Sequence, residues 1–419
     1  MNKMQMNNKL ANKMNNKMNN TEIMRLEDKF QLKTYKKFPI AIVKGKGCFV
    51  WDADGRSFID FYGGHAVALV GHCNPKVAKA IQEQSRKLIF YSNIAYNDAR
   101  AKAGELIIKV SPGGIRKVFF CNSGAEANEA ALKMARKFTG KDGIISMKNS
   151  FHGRTIGALS ATGIEKYRLQ FGNYGPSGSS GPSGLSDSSH SFAEFGDIES
   201  AKKLANSKTA AIIIEPIQSM AGVVMAERDY YRELRDFCTE KGIVLIFDEV
   251  QTCFGRTGKM FAAQHFGVAP DIITCAKGMA GGFPMGAALV NGEIAETVSL
   301  GEQGTTFGGG PLACAAAKAT IEAVLEENLM ENAKVIGRYI EKKADEMDGV
   351  KEVRGLGLLR GLKFEADASD TSHLPVKLLE KGIIAGTADV DKSVLRLMPP
   401  LTIGKKEVNK LFLALKAVL

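Results

Sequence analysis

The run KVFFCNSGAEANE at residues 117–129 changes pattern in its middle. Its first half is apolar and β-prone without polar alternation; its second half is built of helix formers. Between them Ser123 and Glu126 have capping-box spacing, so the helix has a defined start. Gly124 and Ala125 leave the first N–H groups of that helix unobstructed. Those groups, with the helix dipole behind them, suit a phosphate. Taken by itself the stretch is equally a well-capped helix with no ligand.

The same strand-to-helix rhythm runs outward in both directions. Short β-rich runs occur at 117–121, 143–147, 210–215, 243–248, 271–275 and 286–290, and helical patterns at 126–138, 229–241 and 311–326. Apolar runs that do not alternate indicate strands covered on both faces, as in a parallel sheet with crossover helices. The fold class is therefore α/β. The last hundred residues are helix-rich around a strand-like VKEVRGLGLLRGLKFE at 350–365, which points to a second α/β unit.

The chain has 419 residues, 45% hydrophobic and 24% charged, enough to bury a large core in two domains. No apolar run approaches the ~20 residues of a membrane span. The net charge is +11, but the first twenty residues supply four lysines and no acid, so the remainder carries +7. The other Lys and Arg are interspersed with acids, and no nucleic-acid-binding motif accompanies them, which argues against a nucleic-acid partner. Seven scattered cysteines without a CxxC pair read as reduced thiols in a cytoplasmic setting. Residues 1–20, almost all Asn, Lys and Met, read as a disordered tail, with an organelle transit peptide as the alternative. Residues 175–191, rich in Gly, Ser and Pro, read as an insertion loop within one domain.

Two glycine clusters carry no nucleotide signature. Gly355, Gly357 and Gly361 have the wrong spacing for a dinucleotide fingerprint, and Gly255 to Lys259 lacks the spacing and hydroxyl residue of a P-loop. Six histidines without a zinc-type cluster give no metal site. Two further strand ends do carry chemistry. IFDEVQ at 246–251 puts Asp248 at the carboxyl end of a buried strand, where open α/β sheets bind ligands. PDIITCAKG at 270–278 runs a strand into Lys277 and a glycine; a lysine in a dry pocket loses its proton and forms an imine with an aldehyde. Phosphate cradle, acid and lysine together describe a site for pyridoxal 5'-phosphate.

With these motifs in hand the sequence resembles the class III aminotransferases, of pyridoxal phosphate fold type I, over residues 39–419. The acetylornithine aminotransferase branch is nearest, on DFYGGHAV, NSGAEANEAALKMARK, FHGRT, FDEVQTCFGRTGK, PDIITCAKG, GTTFGGGPLACAAA and LRLMPPLTI. The resemblance implies a large domain with a mostly parallel seven-stranded sheet, over 76–310. It also implies a smaller α/β domain made from 21–75 and 311–419. It implies that Lys277 binds the cofactor and shuttles a proton, and that Asp248 pairs with the pyridinium nitrogen. Val250 and Phe151 sandwich the ring, Gln251 reaches the phenolic oxygen, and Glu249 belongs to the same cofactor-binding stretch. Gly124 and Ala125 hold the phosphate, joined by Thr306 from the partner subunit of a homodimer. Arg154 grips a substrate carboxylate, and Thr305 lies beside the substrate.

Three departures from the family pattern stand out: Met220 where a glutamate gates a substrate-binding arginine, Gly310 where asparagine is usual, and the Gly/Ser-rich loop. A neutral Met220 cannot switch a neighbouring arginine on and off. The implied reaction moves the terminal amino group of an ω-amino acid, foremost N-acetylornithine, to 2-oxoglutarate in arginine biosynthesis. Ornithine, 4-aminobutyrate, succinylornithine or a lysine-pathway amine are alternative donors. An aminomutase, or a pyridoxal-binding regulator without activity, are the alternatives of other kinds.

Overall fold

The computed structural model describes residues 18–171, 189–365 and 371–419. The tail expected at 1–20 and the loop expected at 175–191 lie for the most part outside the described residues. Where they are described, both give way to regular structure. Asn19 caps the helix Asn20–Phe30: its side chain accepts from Glu22 N at 2.9 Å while Glu22 accepts from Asn19 N at 3.2 Å. Asn20 is buried and ties this helix to the following strands, donating to Asp52 and Asp54 and accepting from the backbone of Ala41 and Ala53.

Strands β1 (Ile42–Lys46), β2 (Phe49–Asp52) and β3 (Ser57–Asp60) come first. The central sheet follows: β4 (Ile115–Cys121), β5 (Gly143–Met147), β6 (His190–Ala193), β7 (Thr209–Ile214), β8 (Val244–Asp248), β9 (Ile272–Cys275) and β10 (Gly286–Asn291), in the order β4-β10-β9-β8-β7-β5-β6. Only β10 runs antiparallel to its neighbours, so the sheet is mostly parallel. The six expected runs all appear in it; β6 was hidden behind the Gly/Ser-rich segment.

The lack of alternation in β7 and β8 has the cause expected of it, since every residue of both strands is buried. Ile212, Ile214, Leu245 and Phe247 pack with Tyr231, Leu234 and Cys238 of the helix Arg228–Lys241. Ile213, Ile246 and Ile272 pack on the other face with Ala131 and Ala135 of the helix Gly124–Thr139. Each such isoleucine contributes roughly 1.5–3 kcal/mol over an exposed one. The helix Gly124–Thr139 stops at Gly140, whose φ of 66° suits glycine.

The chain ends build the rest. β13 (Ile383–Ile384) pairs parallel with β3, so N- and C-terminal segments share one four-stranded sheet, β1-β2-β3-β13. The strand-like run at 350–365 is a hairpin of β11 (Val350–Leu356) and β12 (Leu359–Phe364), extended by β15 (Val394–Leu397) and β14 (Gly386–Thr387). No helix among the described residues is long and apolar enough to cross a membrane.

Candidate active site

Strands β4, β5, β7, β8 and β9 run parallel, so the loops after Cys121, Met147, Ile214, Asp248 and Cys275 emerge on one side of the sheet. There they enclose a cavity of about 430 Å³ whose wall includes Gly124, Ala125, Phe151, Asp248, Val250, Gln251 and Lys277. Residues spread over more than 150 positions thus meet at the carboxyl ends of the strands, the ligand-binding edge of an open α/β sheet.

The helix start behaves as its sequence requires, with one displacement. Ser123 Oγ accepts from Glu126 N at 3.2 Å. Glu126 returns the bond one residue early, accepting from the backbone N and the side chain of Asn122, each at 2.9 Å. The N–H groups of Gly124 and Ala125 have no protein acceptor among the described residues and border the cavity. A side chain at position 124 would not fit, because a Cβ there would lie 2.9 Å from both methyls of Val250.

Asp248 is buried and held on both oxygens. Oδ2 accepts from His152 Nδ1 and Asn128 Nδ2, each at 2.8 Å, and Oδ1 accepts from Val250 N at 3.0 Å. Asn128 is oriented in turn by Thr274 Oγ1, which donates to it at 2.7 Å. A buried carboxylate needs such donors, and these fix its direction. Lys277 sits in a left-handed conformation, φ 46°, at the start of the turn after β9, and its Nζ donates to Gln251 Oε1 at 3.0 Å. Burial pushes the Lys277 amine below the usual lysine range, against the opposing pull of the Asp248 and Glu215 carboxylates. Burial lifts Glu215 to about 7; it accepts from Phe151 N at 2.8 Å and so fixes the backbone that carries the Phe151 ring.

Unclaimed N–H groups for a phosphate, a fixed carboxylate and a buried amine suit one cofactor, pyridoxal phosphate. The family described as aminotransferase class-III matches residues 30–419. The chain belongs to the class III aminotransferases. It is 44% identical to the acetylornithine aminotransferase of Methanocaldococcus jannaschii, covering 94% of this chain and 96% of that one. With the acetylornithine aminotransferase of Methanopyrus kandleri it shares 43% identity, over 92% of this chain and 95% of that one. Among solved structures, the ornithine aminotransferase of Toxoplasma gondii superposes with a TM-score of 0.87 at 29% identity, over 98% of this chain and 97% of that one. The acetylornithine aminotransferase of Elizabethkingia anophelis gives 0.80 at 30% identity, over 96% and 98%. The protein is thus a pyridoxal phosphate-dependent transaminase, an enzyme that takes an amino donor and a keto acid acceptor.

Four expected site residues of this class III aminotransferase lie outside the cavity wall. Glu249 turns away from it: the carboxylate accepts from Ala262 N, Ala263 N and Thr252 Oγ1, and burial lifts it to about 7. It fastens the segment after β8 rather than facing a ligand. Thr305 sits outside the helix start, its Oγ1 accepting from Asn122 Nδ2 at 3.1 Å and from Gly308 N at 3.2 Å. It braces the segment before the helix Gly124–Thr139. Thr306 is exposed. Arg154 is exposed too, its guanidinium 4.6 Å from the Tyr167 ring centre and 5.8 Å from that of Phe151. Met220 does line the cavity.

Three contributors escaped the sequence reading. His152 and Asn128 orient Asp248, and Arg396 lies buried on β15, donating to Thr387 O at 3.0 Å and Ser219 Oγ at 3.1 Å. The signal for Arg396 was a single arginine inside an otherwise apolar strand, VLRL. A buried guanidinium is costly unless something uses it.

Proposed function

We propose that this aminotransferase moves the terminal amino group of N-acetylornithine to 2-oxoglutarate, in arginine biosynthesis, as a cytoplasmic homodimer with shared active sites. The observation that carries the assignment is cationic: Lys277 opens into the cavity, Arg154 lies over the ring of the cavity residue Phe151, and Arg396 bonds to Ser219, next to the cavity residue Met220. A guanidinium fork matches a carboxylate. Two of them bordering a cavity that holds one buried amine suit substrates with carboxylates away from the reacting carbon. The acetylornithine aminotransferases that resemble this chain at 43–44% identity favour the acylated donor. Ornithine is the second donor, supported by the Toxoplasma structure.

Pyridoxal phosphate, when bound, supplies an aldehyde to hold the amine and a ring to take up electrons. The chain does the rest. Lys277 Nζ would anchor the cofactor and would move the proton at the reacting carbon, and burial lowers its pKa in the direction that work needs. Asp248, directed by His152 and Asn128, holds the ring nitrogen protonated. Gly124 N and Ala125 N bind the phosphate, helped by the partner subunit's Thr306. Val250, Phe151 and Gln251, all in the cavity wall, would hold the ring, Gln251 through a hydrogen bond to its phenolic oxygen. Arg154 holds the distal carboxylate and Arg396 the α-carboxylate of glutamate.

The dimer has support in exposed apolar side chains at Ile89, Tyr91, Ile94, Leu300 and Phe307. Asn93 Nδ2 ties the two segments together by donating to Thr305 O and Gly308 O. The cytoplasmic assignment has support in seven cysteines that are all free. The domain division follows the chain: 21–75 with the C-terminal segment, joined by β3 and β13, against 76–310. The helix Pro311–Glu326, the first of the C-terminal segment, packs on the helices Pro75–Lys87 and Asp98–Val110. The test of the donor is kcat/KM for N-acetylornithine, N-succinylornithine, ornithine and 4-aminobutyrate with 2-oxoglutarate. N-acetylornithine is expected to lead; free ornithine or 4-aminobutyrate ahead of both acylated donors overturns the donor and leaves the transaminase.

A further inference from the structure

The turn after β3 has four successive residues in the left-handed region: Gly63, Gly64, His65 and Ala66, with φ of 61°, 56°, 68° and 64°. Residues with a side chain avoid that region, and here two hold it in succession. The surroundings impose it. Asp60 accepts from the backbone N of Tyr62 at 3.0 Å, Gly63 at 2.7 Å and Gly64 at 3.1 Å. Position 63 has no room for a side chain, since a Cβ there would meet Met398 O at 2.3 Å. Backbone strain fixed this firmly is typical of functional sites. Its result is to place His65 in the cavity wall, hydrogen-bonded among the described residues to Tyr62.

Tyr62 and His65 meet edge to face, ring centres 5.1 Å apart, with the Tyr62 hydroxyl hydrogen-bonded to His65 Nδ1. The Tyr62 ring lies against Gly386, where a Cβ would come within 2.6 Å of Cε2, and Gly386 pairs with Arg396 across β14 and β15. The Arg396 charge acts on the Tyr62 hydroxyl, while its guanidinium is bonded to Thr387 O and Ser219 Oγ. Beside that charge the hydroxyl is favoured with its oxygen toward the guanidinium and its proton toward Nδ1. The remaining ring proton then sits on Nε2, which has no protein partner among the described residues. Burial, then the charges of Lys277, Arg396 and Arg154, push His65 down to about 3, so the ring stays neutral.

We propose that His65 is a specificity-determining residue of this aminotransferase, its neutral Nε2–H donating a hydrogen bond to a carboxylate oxygen of the bound donor or keto acid, with Tyr62 as the positioning residue that sets the tautomer. The proposal rests on the transaminase reading of the cavity and deepens it. An uncharged donor among cations adds direction to carboxylate binding without placing another positive charge beside Lys277.

The test uses the holoenzyme and glutarate, a dicarboxylate that cannot accept an amino group. The variants are His65→Asn, since asparagine tolerates left-handed backbone, and Tyr62→Phe, which leaves His65 in place. Calorimetry should show glutarate bound about tenfold more weakly by His65→Asn, the loss expected of a hydrogen bond to a charged group. KM for 2-oxoglutarate should rise with it, and kcat should change less. Nitrogen-15 spectra of the wild type should place the His65 proton on Nε2, and Tyr62→Phe should move part of it to Nδ1. A His65 proton on Nδ1 in the wild type overturns the proposal. So does glutarate affinity within twofold of wild type in His65→Asn. A wild type that binds no pyridoxal phosphate, or is not converted by glutamate, overturns the transaminase reading instead, and is seen before either variant is made.

Discussion

The half of the cavity around Asp248 and Lys277 comes from the ends of neighbouring strands in one sheet, whereas the half around His65, Met220 and Arg396 comes from segments far apart in the chain. In the first half, sheet register fixes the spacing, and each polar group has protein partners that leave one direction free. In the second, a strained turn, a short segment after β7 and a strand of the C-terminal sheet meet through side chains. The contrast separates two jobs. On the proposed function, strand ends would supply chemistry, which fails when a group is lost. The assembled wall would supply choice of substrate, which shifts by smaller steps.

If that separation is right, Lys277→Ala has the largest effect. Turnover should fall by roughly a thousandfold or more, because one group both anchors the cofactor and moves the proton. Cofactor should still be retained through the phosphate cradle, visible as unreduced pyridoxal phosphate released on denaturation. Activity within tenfold of wild type would break the comparison at once. Next comes Asp248→Asn, equal in size but without the charge, with an expected loss of roughly a hundredfold in kcat. A near-normal kcat would mean that the His152–Asp248–Asn128 arrangement is only structural.

Mixing experiments sharpen the comparison by asking which subunit supplies each half. Thr306→Glu would set a carboxylate against the partner's phosphate and inactivate the homodimer. Mixed with Lys277→Ala chains, it should yield dimers with one intact site and recover activity. Confirmed heterodimers without activity would refute shared sites. The smallest effect belongs to the assembled wall. Met220→Glu should change the preference between acylated donors and free ornithine by only ~1–3 kcal/mol in kcat/KM. A loss as large as that of Asp248→Asn would contradict the division of labour.

The division also explains what could be read from the sequence. The meeting of the strand-end residues at one cavity was legible because its signals are local: KVFFC before a capped helix, IFDEVQ, and IITCAK each carry both the strand and the candidate residue. The seven-stranded sheet was legible for the same reason, except β6, whose short run follows a segment of loop-like composition. The 350–365 hairpin read as one strand because its turn, Gly357 and Leu358, is embedded in apolar residues. Glu249, the residue just past β8, lies off the cavity wall with its carboxylate on Ala262 N, while Asp248 takes the cavity side. Arg396 and the Tyr62–His65 pair were not legible. Their meaning depends on a contact between β14, β15 and the turn after β3, across more than 300 residues.

The central claim is that the buried amine at the end of β9 is the cofactor lysine, and it has a direct test. The holoenzyme is reduced with borohydride, digested, and its pyridoxyl peptide sequenced by mass spectrometry. The account predicts a single modified peptide with the pyridoxyl group on Lys277, and loss of the label when glutamate converts the cofactor before reduction. A pyridoxyl group on any other lysine, with Lys277 unmodified, would contradict it.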